Sequence, residues 1–128
     1  MGRSGRVVVL NGTASAGKST LARTIQQTAP GMWVLFSQDD FAQSLLPRWV
    51  KVDGAYDGGH GTEGFHFVRD GFGLLHVEAG EVGRRLLRGY RFAAAACAKA
   101  GNDVVVDECM FDASGWDEWR EALVGVEV

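Results

Sequence analysis

Val7-Val8-Val9-Leu10-Asn11-Gly12-Thr13-Ala14-Ser15-Ala16-Gly17-Lys18-Ser19-Thr20 is the stretch that decides the fold. Residues 6–10 (RVVVL) hold three β-branched valines in a continuous apolar run, which predicts a short strand buried on both faces. From Lys18 to Ala29 the pattern turns helical: Leu21, Ala22, Ile25 and Ala29 share one face, and Pro30-Gly31 stops it. Between them, residues 12–19 match G-x-x-x-x-G-K-S, and the strand-before, helix-after context is what a phosphate-binding loop requires. Gly12 and Gly17 permit backbone angles that a side chain would obstruct. The N–H groups of such a loop point inward and, with the helix N-terminus, cradle a phosphate. Lys18 is placed to reach the β/γ-phosphates, and the Ser19 hydroxyl to ligate Mg²⁺. The expected binding set is therefore Gly12, Thr13, Ala14, Ser15, Ala16, Gly17, Lys18, Ser19 and Thr20, with ATP and Mg²⁺ as cofactors.

Outward from this loop, strands and helices alternate. Trp33 to Phe36 reads as a second buried strand ending at Ser37-Gln38-Asp39-Asp40, and Phe41 to Leu46 as a short helix before Pro47. Residues 48–80 are Gly-rich and irregular, except that 65–69 and 72–77 flank Asp70-Gly71, a hairpin-turn pair. Residues 81–100 form a long helical pattern closed by Gly101-Asn102. Val104-Val105-Val106 is a third buried strand. Ser114 to Asp117 resembles a capping box opening a last helix with Trp116, Trp119 and Leu123 inward, and a further strand could begin at 125–128. The alternation predicts an α/β class with a parallel sheet, in one domain over residues 1–128.

Composition narrows the function. Thirteen Lys and Arg against sixteen Asp and Glu leave a net charge of -3, which argues against a non-specific nucleic-acid binder. No apolar run approaches the ~18 residues that cross a bilayer, and the run after Arg6 is too short for a signal-peptide core. The expected partner is a small-molecule hydroxyl compound, with neither nucleic acid nor membrane. The two cysteines, Cys97 and Cys109, suit reduced thiols in a cytoplasmic protein.

Two further acids carry chemistry. Asp107 follows the third strand, at the end of the sheet where ligand sites cluster, and there it can hold Mg²⁺; adjacent Glu108 is the competing choice. Asp39 follows the second strand, where a carboxylate can accept the proton of an attacking hydroxyl, with Asp40 as the alternative. Asp39 and Asp40 also read as an N-cap pair for the next helix. His60, His66 and His76 lack the close spacing of metal ligands. Phe41, Trp49, Tyr56, Phe65, Phe67 and Phe72 gather in the least regular segment, as a satellite core or as an apolar substrate pocket.

No Asn-Lys-x-Asp guanine-reading motif is present, and large motor classes need a longer chain, so a small-molecule or nucleotide kinase fits best. The details resemble one family. Val7 to Ser19 is similar to the hydrophobic-Leu-Asn-Gly-x-Ser-Ser-Ala-Gly-Lys-Ser opening of chloramphenicol phosphotransferases, departing at Ala14. Trp33 to Asp39 resembles that family's strand leading to its catalytic Asp, and 64–73 its Gly-rich hairpin. Ala98 to Glu108 resembles its Ala-Gly-hydrophobic-Asp-Asp stretch, with Glu108 replacing the second Asp, and Trp119-Arg120 matches a Trp-Arg in the following helix. The resemblance implies a P-loop kinase fold and an ATP-dependent transferase that phosphorylates a hydroxyl of chloramphenicol, an antibiotic-resistance activity. It implies Asp39 and Lys18 as catalytic residues, the loop on ATP, and Ser19 and Asp107 at the metal.

The likeness covers roughly the N-terminal two-thirds of the family's pattern, which continues into a fourth core strand and an arginine-bearing lid. The chain is expected to stop before both, to leave Val7 to Leu10 as an unpaired apolar edge, and to be poorly active alone. Two other readings keep the same loop: a nucleotide-binding module without turnover, and a kinase for a nucleotide or sugar-nucleotide acceptor.

Overall fold

The structure, a computed structural model, describes residues 3–12, 17–43, 49–52, 63–69, 71–72, 75–110 and 113–128. In chain order the elements are β1 (Val7–Asn11), α1 (Lys18–Thr28), β2 (Trp33–Ser37), α2 (Gln38–Gln43), β3 (Val50–Val52), β4 (Phe65–Arg69), β5 (Leu75–Ala79), α3 (Glu81–Lys99), β6 (Asp103–Glu108) and α4 (Ser114–Ala122). They divide into two compact units, residues 1–39 with 89–128, and residues 40–88.

The first unit is built on a parallel sheet ordered β1-β6-β2, a mixed α/β architecture compatible with a P-loop kinase fold. Side chains alternate along each strand, and the two faces of β6 can be told apart. Val105 packs with Ala22 and Trp33, and around them sit Val8, Leu10, Ile25, Ala29 and Leu35, so this face is covered by α1. Val104, Val106 and Glu108 have the opposite parity. Arg91 of α3 and Trp119 of α4 both bond Glu108, so those helices cover the other face. Gly101 closes α3 at φ +108, a left-handed conformation that favours glycine. Asn102 then returns both its backbone and its side-chain N–H to the Cys97 carbonyl.

At the start of the sheet, Arg6 pairs with Asp103 at 3.0 Å and lies 5.1 Å over the Trp33 ring. The expectation of a wholly unpaired β1 edge needs correction at Val7. Its N–H donates to the Glu127 carbonyl at 2.9 Å, Arg6 and Glu127 form a parallel bridge, and Val7 is buried.

Three other local expectations shift. Leu21 is 50% exposed, because the sheet-facing stripe of α1 runs through Ala22, Ile25 and Ala29. Trp116 is 39% exposed, and the inner face of the last helix is Gly115, Trp119, Ala122 and Leu123. Ala113, not Ser114, holds the cap position of α4, and the Trp116 N–H donates to its carbonyl. Ser114 is thus already helical, one residue inside the expected cap.

In the second unit β3, β4 and β5 form a small sheet, β3 parallel to β4 and β4 antiparallel to β5. The hairpin was expected; β3 was not, since three residues carry no readable period. Its second arm lies at Leu75–Ala79, later than the expected 72–77. Phe65 and Leu87 are buried here, Phe41 and Trp49 are half-buried, and Phe72 is exposed. Tyr56, His60 and the side chains of Phe67 and His76 lie outside the described residues.

Candidate functional site at the carboxyl end of the parallel sheet

Gly17 occupies the N-cap of α1 at φ +80. An added Cβ would meet nothing within 4 Å, so the backbone conformation, not crowding, calls for glycine. Gly17 brings no side-chain cap and the first turn of the helix holds no acid, so the positive end of its dipole favours an anion there.

The first two residues of α1 meet the end of the central strand. Ser19 Oγ donates to Asp107 Oδ2 at 2.9 Å, and Lys18 Nζ lies 3.7 Å from Asp107 Oδ1. Lys18 and Asp107 side chains are only 11% and 13% exposed, so the charges face each other with little screening by water. Gly12 N–H donates to the Glu108 carbonyl at 3.3 Å, which seats the start of the loop beside β6. Thr20 lies in the same first turn with its side chain exposed, and its carbonyl accepts from Thr24 Oγ1. Thr13, Ala14, Ser15 and Ala16 lie outside the described residues.

The choice between Asp107 and Glu108 is decided by parity. Asp107 shares the α1 face with Val105. Glu108 points to the other side, is fully buried, and accepts from Arg91 Nε at 2.8 Å, from the Arg91 Nη2 group and from the Trp119 indole. Arg91 also donates to Glu118 at 2.7 Å. Burial works against the Arg91 charge, but the Glu108 carboxylate, their hydrogen bond and Glu118 outweigh it and raise its pKa above the ordinary guanidinium value. Glu108 is thus a structural anchor that ties α3 and α4 to β6. The sequence carried a signal for this: Arg91 recurs with Leu87, Ala94, Ala95 and Ala98 on the apolar stripe of α3, a core position that a charge occupies only when paired.

Tyr90 was also missed. Its hydroxyl donates to the Phe36 carbonyl at 3.2 Å, with the Asp107 carbonyl 3.5 Å away. Burial above all, then Glu108, raises its pKa and keeps it a neutral donor. It ties β2 to β6 where both strands deliver their acids.

Asp39 and Asp40 are both exposed, in the first turn of α2. The helix begins at Gln38, one residue ahead of them, so neither is its N-cap. Asn11 Oδ1 accepts from the Met110 N–H at 3.0 Å, and Gln38 Oε1 from the Cys109 N–H at 2.8 Å. Side chains at the ends of β1 and β2 thus hold the strand-like exit of β6 from either side. Cys109 is exposed and Cys97 half-buried.

A hydroxyl oxygen and a carboxylate oxygen at Ser19 and Asp107 form a hard donor pair suited to Mg²⁺. Among the described residues no group of three or more His, Cys, Asp or Glu stands ready to hold a metal. A magnesium ion here would complete its shell with phosphate oxygens and water, its usual habit beside nucleotides. No helix among the described residues is long and apolar enough to cross a membrane.

A family model for chloramphenicol phosphotransferase-like proteins matches residues 5–128. No curated protein matches the chain.

Proposed function

The chain belongs to the chloramphenicol phosphotransferase-like family, and on that premise we propose that it transfers the terminal phosphoryl group of ATP to a hydroxyl of a small molecule, chloramphenicol or a close chemical relative. The observation that carries this reading is the convergence of Lys18, Ser19 and Asp107 directly behind the left-handed Gly17. A glycine-permitted turn at a helix start, a cation and a hard oxygen pair are what a nucleoside triphosphate with a divalent cation needs.

In this reading Gly12 to Thr20 hold the phosphates, and Lys18 follows the charge on the transferred group. Ser19 and Asp107 would hold magnesium, which when bound would neutralise phosphate charge. Asp39 accepts the proton of the acceptor hydroxyl as that oxygen bonds to the γ-phosphorus. The bond from phosphorus to the β–γ bridging oxygen breaks, and ADP leaves. Asp39 suits the task because it is exposed at the carboxyl end of β2, beyond the strand that delivers Asp107.

The test is incubation of the purified chain with ATP, Mg²⁺ and chloramphenicol, read by ADP release and by mass spectrometry of the drug. A phosphorylated product whose formation needs Asp39 supports the reading. ADP binding with no transfer to chloramphenicol or to a panel of nucleosides and other small alcohols replaces it with a nucleotide-binding module.

A further inference from the structure

The oxygen of the Gln38 amide holds the exit of β6, but its nitrogen has no such role, and Gln38 is only 8% exposed at the junction of β2 and α2, beside Asp39. Its amide is oriented by the Cys109 N–H. That group can only donate, so the carbonyl end of the Gln38 side chain must face it, at 2.8 Å. The nitrogen end is therefore fixed on the other side, and Gln38 Nε2 is buried without a hydrogen-bond partner among the described residues. A buried N–H₂ group left unpaired is costly, and native structures seldom carry one without a reason.

We propose that Gln38 Nε2 donates a hydrogen bond to an oxygen of the acceptor alcohol, making Gln38 an acceptor-binding residue of this site. The topology favours the acceptor over the nucleotide. The phosphate loop follows β1, Gln38 follows β2, and β6 lies between them. The two strand ends are thus two inter-strand spacings apart, roughly 10 Å. Gln38 stands on the Asp39 side of β6, where a hydroxyl compound offered to Asp39 must lie. Its ligand is an oxygen acceptor, a hydroxyl, carbonyl or nitro group, on a small polar molecule. The inference rests on the kinase reading for Asp39 and adds the group that orients what Asp39 deprotonates.

Two substitutions separate this role from that of a loop clamp. Gln38→Glu keeps an oxygen for the Cys109 N–H and removes the free donor; Gln38→Met removes both. Chloramphenicol is the probe, with KM measured at pH 8 and Kd measured by calorimetry in the presence of ADP and Mg²⁺. Both variants should weaken chloramphenicol, in KM and in Kd, by about tenfold or more, while the KM for ATP and the Kd for ADP stay within about twofold. A Gln38→Glu protein that handles chloramphenicol like the wild type overturns the inference and leaves Gln38 a clamp. A wild-type protein that does not bind chloramphenicol also overturns it, and Asp39→Asn assayed with other alcohols then judges the kinase reading separately. A wild-type protein that binds the drug without phosphorylating it sinks the kinase reading, while weaker binding by both variants still supports the contact.

Discussion

Removing Arg91 isolates a charge in the core beside the candidate site. In Arg91→Met the aliphatic bulk is largely kept, but the Glu108 carboxylate loses its ion-pair partner while the fold holds it away from water. The two side chains are 6% and 0% exposed, so solvent does not compensate for the loss. Among the described residues only the Trp119 indole still donates to Glu108. Breaking a buried pair in this way costs about 3–5 kcal/mol, which lowers Tm by roughly 12–20 °C at about 4 °C per kcal/mol for a chain of this size. The partner experiment adds Glu108→Met. An apolar pair of similar volume is neutral or better than the ion pair, set against about 1–3 kcal/mol for an indole N–H left without an acceptor. The double variant should thus lie within about 2 kcal/mol of wild type, more stable than Arg91→Met alone. The assay is urea unfolding followed by circular dichroism and by tryptophan fluorescence, whose coincidence checks two-state behaviour. Below its melting range the double variant should keep its ADP affinity, because Asp107 meets Lys18 and Ser19 on the opposite face of β6. Arg91→Met within 1 kcal/mol of wild type, or a double variant as unstable as the two single losses added, refutes the reasoning.

Lys18→Ala should weaken ADP binding markedly in calorimetry, since it removes the cation beside Asp107 at the helix start; unchanged affinity would remove the phosphate-loop assignment. Asp39→Asn should leave ATP affinity nearly intact and cut turnover by ~10²–10⁴, with Asp40→Asn doing much less; the reverse order would move the base by one residue. The Arg6 hydrogen bonds and charge hold Asp103 below the ordinary carboxylate pKa. A depressed folded-state pKa contributes stability above the unfolded value, and that contribution fades as pH falls through the folded one. The Tm gap between wild type and Asp103→Asn should thus be steady from pH 7 to 5 and shrink below about pH 4; a gap constant to pH 2 would contradict the pairing.

Short-range rules made much of this protein legible from its residues. Val7 to Thr20 announced a strand and a helix on either side of a phosphate-type loop, and that strand and helix stand at Val7–Asn11 and Lys18–Thr28. The closing Gly101-Asn102 and the strand ending in Asp107 followed from patterns spanning a turn of helix or a few strand residues. Gly17 was readable as a glycine needed for its backbone angle, because that need is local.

Tertiary structure decided what depends on which face is covered and by what. Strand alternation says that Asp107 and Glu108 point apart, but only the packing of α1 against Val105 makes Asp107 the one that meets Lys18 and Ser19. Leu21 and Trp116 looked inward from their helical period, yet a rotation of about one residue in the buried stripe leaves each exposed. Arg91 finds Glu108 17 residues away, and Gln38 finds Cys109 71 residues away. No pattern along the chain encodes such pairings. They exist because the order β1-β6-β2 brings the exit of β6 between those of its neighbours, where buried polar groups must be satisfied by whatever the other strands and helices deliver.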